Sequence, residues 1–345
     1  MIIRRKTKQI KIGNVNIGSN APVSIQSMTK TDTKDIQATV AQIKSLQNLG
    51  CEITRVAVKD SASAQAIKGI KPKIKIPVIA DIHFNYKLAL EAVASGFDAI
   101  RINPGNIGKQ EHILQIINAC KEKRLPIRIG VNSGSAGTQT AQGLVNLAKK
   151  TVKIFEKEKF YDIIISLKAS DAYTAIEAYR KMAKECDYPF ELGVTAAGAG
   201  YQGIVKSAIG IGTLLAEGIG DTIRVSLTAK PEEEVEVAKY ILQSLGLRKF
   251  YLEIISCPTC GRCQVDLQKI VGEFNKKLQT TNYKLQTKLP KVALMGCEVN
   301  GPGEAAEANI GIAFGKNSGI LFKSGKIIKK VSTKDAVKEL LNLLK

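Results

Sequence analysis

Short apolar runs alternate with helix-like segments along the first two thirds of the chain. Each run is rich in β-branched residues and ends near a polar position, after which a loop and an amphipathic segment follow. The eight runs cover residues 23–28, 53–58, 77–82, 99–102, 127–131, 162–167, 190–194 and 222–227. Because they are almost continuously apolar, they indicate parallel strands buried on both faces. Eight uninterrupted repeats favour an α/β fold of the closed (β/α)8 TIM-barrel type, with an open doubly wound sheet as the alternative.

Amphipathic helices are predicted between the runs. Ile36, Val40, Ile43 and Leu46 form one apolar stripe, which Gly50 ends. Further helices are predicted over residues 113–120, 141–155, 172–183, 204–216 and 232–245. Helix C-caps are expected at Gly96, Gly218 and Gly246.

The pattern changes after a short linker at residues 245–249. Strands are then predicted at residues 250–256, 291–295, 310–314, 319–323 and 326–331, and helices at 265–278 and 334–344. Ser332 and Asp335 have the spacing of a capping box and are predicted to start the last helix. This succession indicates a small α+β domain, so the chain divides into a barrel domain, 1–246, and a second domain, 247–345.

Polar side chains collect where the barrel strands end. They are Arg55, Asp81, His83, Arg101, Asn103, Arg128, Asn132, Ser166, Lys168, Arg224 and Ser226. In barrels of this type the active site lies at the carboxyl ends of the strands. Any one of these residues has an alternative role in the core or in a salt bridge. Together, four arginines, a lysine and a histidine around one opening would repel one another unless an anion were present. Arginine and lysine suit phosphate oxygens, so we predict a small, highly anionic ligand.

The formal net charge of +20 permits three kinds of partner besides a simple lysine-rich surface: an anionic substrate, an acidic protein or a nucleic acid. The chain has no tryptophan and only 5% aromatic residues, which disfavours a stacking platform for single-stranded nucleic acid. An iron–sulfur protein that binds RNA remains the non-enzymatic alternative. Cations at strand ends fit a concave small-molecule site better, so we expect no nucleic-acid partner.

No apolar run approaches the roughly 20 residues that span a bilayer, and the basic start of the chain leads to no signal-peptide core. We therefore expect a cytoplasmic protein without a membrane partner. The seven cysteines are odd in number, and Cys51, Cys120 and Cys186 are scattered, which argues against a disulfide framework. These three are expected to be small core residues.

Two short segments hold the other four cysteines: CPTCGRC at 257–263 and GCEVNGPGE at 296–304. Both follow strand-like runs, so their thiols can share one metal centre. Thiolates spaced Cys-x2-Cys select zinc or an iron–sulfur cluster, and three within seven residues favour the cluster. Cys257, Cys260 and Cys297 are the candidate ligands, whereas Cys263 either joins them or faces the core. Glu304 would then be a displaceable carboxylate ligand, which leaves a position for catalysis.

A formal G-x-G-x-x-G occurs at residues 198–203. Its place in the seventh repeat and the lack of a clear acidic partner make it weak as a dinucleotide fingerprint. A flexible loop before a helix is the simpler interpretation, with backbone amides that could meet a phosphate.

Five motifs together resemble one enzyme family. They are CPTCGR at 257–262, GCEVNGPGE at 296–304, IRVSL at 223–227, KSAIG at 206–210 and SIQSMT at 24–29. They are similar to the 4-hydroxy-3-methylbut-2-enyl diphosphate synthase family of the methylerythritol phosphate route to isoprenoids. The resemblance covers nearly the whole chain, and its length is typical of the compact two-domain bacterial form.

The resemblance implies a reductive ring opening of 2-C-methyl-D-erythritol 2,4-cyclodiphosphate with loss of water. Two electrons would enter through a [4Fe-4S] cluster held by Cys257, Cys260, Cys297 and Glu304, in a domain like those of sulfite and nitrite reductases. An acidic donor such as flavodoxin or ferredoxin would supply them, steered by the positive charge. The implied substrate-binding residues are Arg55, His83, Arg101, Asn103, Arg128, Asn132, Lys168, Arg224 and Ser226.

A head-to-tail homodimer is expected on two grounds. The family resemblance implies it, and the last barrel helix should return the chain to the end of the barrel opposite the cationic opening. A metal centre in the second domain would then meet that opening most simply on a partner chain.

The sequence departs from the family pattern at two positions: Ala196, and Cys263, which could compete with Glu304 as the fourth ligand. It also invites one comparison outside the family. The family usually has Thr-Glu-Ala-Gly after the seventh strand, where this chain has TAAG at 195–198, so the proton donor is left open. Glu191 lies too early on the strand to replace that glutamate. Residues 24–32 also resemble pteridine-binding barrels such as dihydropteroate synthase, which lack the cysteine domain.

Overall fold

The computed structural model describes residues 2–134, 137–280, 290–298 and 307–344, with side chains omitted for 279–280. The chain forms two compact units, Met1–Arg248 and Lys249–Lys345. Within the described residues, no helix has the length and apolar character that crossing a bilayer would require.

The first unit is a closed barrel of eight parallel strands. They are β3 (Ser24–Met28), β4 (Ile53–Ala57), β5 (Val78–Ile82), β6 (Ala99–Ile102), β7 (Ile127–Asn132), β8 (Ile163–Lys168), β9 (Glu191–Leu192) and β10 (Thr222–Ile223). Strands that follow one another from β3 to β8 are paired, β9 pairs with β10, and β10 returns to β3. A single parallel bridge between Ile165 and Phe190 joins β8 to β9. The predicted TIM barrel is therefore confirmed, and the open sheet is excluded.

Helices follow the strands on the outside of the barrel. They are α1 (Ile36–Asn48), α2 (Ser61–Gln65), α3 (Ile67–Ile70), α4 (Tyr86–Ser95), α5 (Pro104–Ile107), α6 (Gln110–Lys123), α7 (Ala141–Lys157), α8 (Ala172–Ala183), α9 (Gly200–Ala216) and α10 (Pro231–Ser244). Many begin at an Asp, Asn or Thr whose side chain accepts a backbone N–H of the first turn, as Asp35 accepts from Ala38 and Asp171 from Thr174. Gly96 closes α4 with a φ of 102°, as predicted.

An antiparallel hairpin precedes the barrel and was not predicted. Its strands are β1 (Ile10–Ile12) and β2 (Val15–Ile17). Ile10, Ile12 and Ile17 are buried against side chains at the amino ends of the barrel strands, among them Ile53 and Ile79. The hairpin therefore covers the amino end of the barrel.

Two details of the predicted barrel are wrong. Residues 190–194 and 222–227 were expected to be full strands, but β9 stops at Leu192 and β10 at Ile223. Beyond β9 the chain turns towards β8, where Thr195 donates its N–H to the Ala169 carbonyl at 3.1 Å. The glycine-rich segment 198–203 is also not simply a loop, because α9 begins at Gly200. A Cβ at Gly203 would lie 2.6 Å from the Gly198 oxygen, so the close packing of this first turn requires glycine there.

The second unit is a five-stranded sheet with two helices. Its strands are β11 (Glu253–Ser256), β12 (Lys291–Met295), β13 (Ile310–Phe314), β14 (Ser318–Lys323) and β15 (Lys326–Ser332), in that spatial order. The first three are parallel and the last two antiparallel. Helices α11 (Leu267–Thr280) and α12 (Ala336–Leu344) pack on the sheet around Phe274, Phe314 and Leu340. The predicted α+β class is confirmed.

Candidate active site

The register of the barrel brings charged side chains together at the carboxyl ends of the strands, an opening that we call the mouth. Asp81 on β5 is the register partner of Arg101 on β6, and Arg101 is the partner of Arg128 on β7. Lys168 ends β8, where it pairs with Asn132. These positions meet because the register of the neighbouring parallel strands places them side by side, although the residues are up to about 90 positions apart in the sequence.

Asp81 is shared by three basic side chains. Its carboxylate lies 3.2 Å from Arg101 Nη1, 3.7 Å from Arg55 Nε and 3.5 Å from His83 Nε2. Burial opposes ionisation of Asp81. The charge of Arg55, the hydrogen bond to His83 and the charge of Arg101 outweigh burial and hold the pKa of Asp81 well below its usual value. Asp81 is therefore a fixed anion between two buried arginines.

Glu191 is the second carboxylate of the mouth. It lies on β9, beside the junction of β8 and β9, which we call the seam. It is fully buried at the start of β9, its Oε1 lies 2.8 Å from Lys168 Nζ, and its Oε2 pairs with Arg128. Burial, then the charges of Arg128 and Arg55, hold the pKa of Lys168 well below its usual value. The mouth thus contains two carboxylates that the cation-based prediction did not count.

Positive charge still exceeds negative charge at the mouth. Five cations whose charges act on one another face the two carboxylates Asp81 and Glu191: Arg55, Arg101, Arg128, Lys168 and Arg224. Five minus two leaves an excess of three, and the neighbouring Glu234 is matched by Lys30 at 3.2 Å. Buried like charges repel strongly in a medium of low dielectric constant, so an anionic ligand would stabilise this arrangement.

Unsatisfied hydrogen-bond donors point to the same conclusion. The buried Nε atoms of Arg101, Arg128 and Arg224 have no hydrogen-bond partner among the described residues. Leaving such a donor without a partner costs about 1–3 kcal/mol. Burial, followed by the charge of Arg55, lowers the pKa of Arg224 to about 10. An anion with several oxygens would offset both the repulsion and the missing bonds.

The remaining residues of the predicted substrate-binding set differ from one another in burial and in their contacts. Asn103 is buried and caps α5, accepting the N–H of Gly105 at 3.1 Å. His83 keeps 44% of its side chain exposed while it contacts Asp81 and Arg101. Ser226 is partly buried, and like Arg224 it lies beyond the end of β10, not within the strand as expected.

The thiols of the second unit follow two neighbouring parallel strands. Cys257 comes directly after β11, and Cys297 comes two residues after the end of β12. Gly296, which directly precedes Cys297 in the sequence, donates its backbone N–H to Cys257 Sγ at 3.2 Å. Hydrogen bonds of this kind stabilise a thiolate, which is the form that binds metals. Cys257 and Cys297 are thus delivered to one end of the sheet.

The other candidate ligands differ in their surroundings. Cys260 is exposed, in a loop where Thr259 has a φ of 56°. Cys263 Sγ contacts the Val265 carbonyl at 3.2 Å and is packed against the apolar cluster under α11. Glu304 lies outside the described residues. Within the residues that are described, no three His, Cys, Asp or Glu side chains form a ready-made metal-binding group.

Sequence reasoning undervalued Asp81 and Glu191. Asp81 was visible as a strand-end residue, but nothing in the sequence showed that it lies between Arg55 and Arg101. Glu191 was set aside because of its early position on the strand. The signal available was a charged residue inside an otherwise apolar strand, which requires a buried partner.

The chain combines a TIM barrel that has a cationic mouth with an α+β unit that carries thiols after two parallel strands. The family model described as the GcpE TIM-barrel domain matches residues 7–239, and the GcpE protein C-terminal domain matches residues 253–345. The chain belongs to the GcpE family.

Relatives with assigned names agree with this membership. A protein of Clostridium perfringens is 54% identical over 349 residues, which covers 99% of each chain, and one of Thermodesulfovibrio yellowstonii is 52% identical with the same coverage. Each carries the name 4-hydroxy-3-methylbut-2-en-1-yl diphosphate synthase (flavodoxin).

Solved structures resemble the barrel alone. Dihydropteroate synthase from Xanthomonas albilineans has a TM-score of 0.50 at 10% identity, covering 70% of this chain and 99% of its own. The 3-dehydroquinate dehydratase from Geobacillus kaustophilus has a TM-score of 0.50 at 16% identity with the same coverage. Likeness at this identity shows a shared fold and says nothing of a shared reaction.

Proposed function

We propose that the protein opens and reduces 2-C-methyl-D-erythritol 2,4-cyclodiphosphate to 4-hydroxy-3-methylbut-2-enyl diphosphate, a step in isoprenoid precursor biosynthesis. One observation carries this proposal: three uncompensated positive charges lie at the mouth of a barrel whose chain also carries the thiol-bearing unit. The names of the relatives support the same reaction. In it a C–O bond to the ring diphosphate breaks, a hydroxyl group takes up a proton and leaves as water, and two electrons enter.

The barrel unit binds and orients the diphosphate in this proposal. Arg101, Arg128 and Arg224 donate their unsatisfied N–H groups to phosphate oxygens, and Arg55 and Lys168 add charge. His83, Asn103, Asn132 and Ser226 complete the proposed substrate-binding set. Because the site is largely buried, these interactions are stronger than they would be in water, and they hold the reacting C–O bond in one place.

The second unit fits an iron–sulfur cluster as its resident cofactor. The fit rests on the soft thiol set after β11 and β12 and on the Gly296 N–H directed at Cys257 Sγ. Cys257, Cys260 and Cys297 would hold a [4Fe-4S] cluster, with Glu304 as the proposed fourth and displaceable ligand. Such a cluster supplies single electrons to the bound substrate. Glu304 is also proposed as the catalytic residue, since its release would open a position for a substrate oxygen.

Flavodoxin is the proposed electron donor, since the relatives carry it in their names, and ferredoxin is the alternative. The net charge of +20 would attract a donor with an acidic surface and raise its association rate. A cytoplasmic location is proposed because Cys51 and Cys120 are buried free thiols, as a reducing compartment keeps them.

A homodimer is proposed from the barrel unit itself. Arg248, the last residue of that unit, bonds the Val23 carbonyl and Glu52, which precede β3 and β4 at the amino end of the barrel. The chain therefore leaves the barrel at the end opposite the mouth, which favours a thiol unit supplied by a partner in head-to-tail fashion. Tyr201, Val205 and Ile209 form an exposed apolar stripe on α9, and we propose that a second copy covers it.

Anaerobic reconstitution with iron and sulfide tests the function. We expect a [4Fe-4S] absorbance and a paramagnetic signal after reduction that changes when the cyclodiphosphate is added, with turnover by reduced flavodoxin. An Arg101→Leu variant should keep the cluster and lose the substrate-dependent change, while Lys87→Leu on the exposed surface should behave as the wild type. A protein that binds only zinc, or a signal indifferent to the cyclodiphosphate, would contradict the proposal.

A further inference from the structure

Glu191 is the most deeply buried carboxylate of the mouth and is not part of the predicted site. None of its surface is exposed, and its two oxygens contact different cations, Lys168 through Oε1 at 2.8 Å and Arg128 through Oε2. A buried carboxylate is tolerated only when it is paired, and removing its partners or the carboxylate itself leaves an uncompensated charge. Glu191 therefore fixes the positions of both cations.

The local structure is built around this pair. Gly193 makes room for it, because a Cβ there would lie 3.1 Å from Lys168 Nζ and 2.6 Å from the Arg224 carbonyl. The Tyr179 hydroxyl donates to the Glu191 carbonyl and accepts the N–H of Leu167 at 3.0 Å, so it ties β9 to β8 beside Lys168. The backbone of Glu191 is thus held by a side chain of α8.

The charges around Lys168 are otherwise positive. Arg128 on β7, Arg55 on β4, Arg224 after β10 and Arg101 on β6 all act on the ammonium group and disfavour its protonated form. Glu191 on β9 is the anion in direct contact with it among the described residues. Without the carboxylate, burial and these four guanidinium groups would lower the pKa of Lys168 further, so that it would lose its proton at a lower pH than in the wild type.

We propose that Glu191 is a positioning residue that keeps Lys168 charged and aims Lys168 and Arg128 at the anionic substrate. The inference rests on the proposed function only for the identity of that substrate. The negative charge of Glu191 offsets part of the repulsion among the cations, so that Lys168 can serve as a phosphate-binding ammonium at neutral and mildly alkaline pH.

A purely structural role is the competing explanation, since the pair also spans the seam between β8 and β9. The two roles predict different dependence on pH. A structural role weakens ligand binding by the same factor at every pH. A positioning role makes the effect of Glu191→Gln grow as pH rises, because Lys168 without its anion loses its proton at lower pH.

Calorimetric titration with inorganic pyrophosphate tests the inference without requiring turnover. At pH 6.5 the Glu191→Gln variant should bind pyrophosphate as tightly as the wild type or more tightly, because the mouth gains a net positive charge. At pH 8.5 it should bind at least tenfold more weakly than the wild type. Comparing the two proteins at one pH cancels the ionisation of pyrophosphate itself.

Two further variants separate the roles. Tyr179→Phe loosens the same seam and should lower the melting temperature while leaving the affinity ratio to wild type unchanged between pH 6.5 and 8.5. In a Lys168→Met background, Glu191→Gln should have no pH-dependent effect. An affinity ratio of Glu191→Gln to wild type that is equal at both pH values would overturn the proposal, as would a wild type that does not bind pyrophosphate. Wild-type turnover of the cyclodiphosphate decides the proposed function separately.

Discussion

Gly296 and Cys263 approach so closely that no side chain fits between them. A Cβ built on Gly296 would lie 2.4 Å from Cys263 Sγ and 3.4 Å from Cys257 Sγ, while the Gly296 N–H bonds Cys257 Sγ at 3.2 Å. Position 296 is therefore restricted to glycine by the sulfur atoms around it, and the backbone there serves as a hydrogen-bond donor to one of them.

Gly296→Ala should reduce cluster incorporation severely. The new methyl group must displace Cys263 or shift the backbone that bonds Cys257, and either movement disturbs the proposed ligand set. Iron and sulfide content per chain after anaerobic reconstitution, together with the absorbance of the cluster, measures the loss.

The double variant Gly296→Ala, Cys263→Ala shows whether Cys263 acts as a ligand. Removing the Cys263 sulfur makes room for the methyl group, so cluster content should recover, and Cys263→Ser alone should leave the cluster spectrum unchanged. Loss of the cluster in Cys263→Ser would show that Cys263 is a ligand and that the proposed set is wrong.

Arg224→Gln should weaken substrate binding by about 10- to 100-fold, which corresponds to the roughly 1.5–3 kcal/mol of a charge-assisted hydrogen bond. The effect is expected because the Nε of Arg224 lacks a partner among the described residues. Kd for inorganic pyrophosphate and KM for the cyclodiphosphate would both report it. Lys230→Gln, an exposed residue on the same loop, is the control, and an equal effect of the two changes would remove Arg224 from the site.

Asp81 should make the stability of the barrel depend on acid pH. Its folded-state pKa lies well below the unfolded value of about 3.9, so its contribution is complete above about pH 4 and is lost as pH falls towards the folded pKa. Urea unfolding between pH 2 and pH 7 should show a shallower acid slope for Asp81→Asn than for the wild type. At pH 7 that variant should be less stable by about 3 kcal/mol, because Arg55 and Arg101 lose their anion.

Glu185→Gln provides the comparison for that experiment. Glu185 forms an exposed pair with Lys149, and such pairs contribute little to stability. Its acid slope should match that of the wild type, and an Asp81→Asn slope equal to both would refute the assignment to Asp81.

Ile209→Asp should convert a dimer into a monomer. Ile209 is 53% exposed in the apolar stripe of α9, and a buried unpaired carboxylate would disrupt a contact made there. Sedimentation equilibrium should give twice the 37.3 kDa chain mass for the wild type and one chain mass for the variant. Ile327→Asp changes a 73% exposed isoleucine on β15 and should remain dimeric; a wild type that is monomeric would refute the proposed assembly.

The succession of strands and helices was predictable because apolar periodicity is a local property. The eight barrel strands and the α+β unit follow from runs such as residues 127–131, which continue through Asn132 in the structure. The hairpin before the barrel also had a local signal. Ile10, Ile12, Val15 and Ile17 alternate with polar residues around a Gly-Asn turn, which is typical of a hairpin.

The pairing of charges at the mouth was not predictable in the same way. Whether Asp81 meets Arg55 and Arg101 depends on the level at which each strand enters the barrel, which register and closure determine together. The contact of Glu191 with Lys168 further depends on a seam that one bridge and Tyr179 close. Such contacts are properties of the assembled barrel, whereas the cations themselves are visible in the sequence.

The hairpin at the amino end has a kinetic consequence. Because Ile10, Ile12 and Ile17 pack against that end of the barrel, substrate enters the site and product leaves it through the mouth. Product must depart by the route along which the next substrate arrives, so the two cannot occupy the passage together. Because product bound at the mouth occupies the place of the next substrate, inhibition by product should be competitive with substrate.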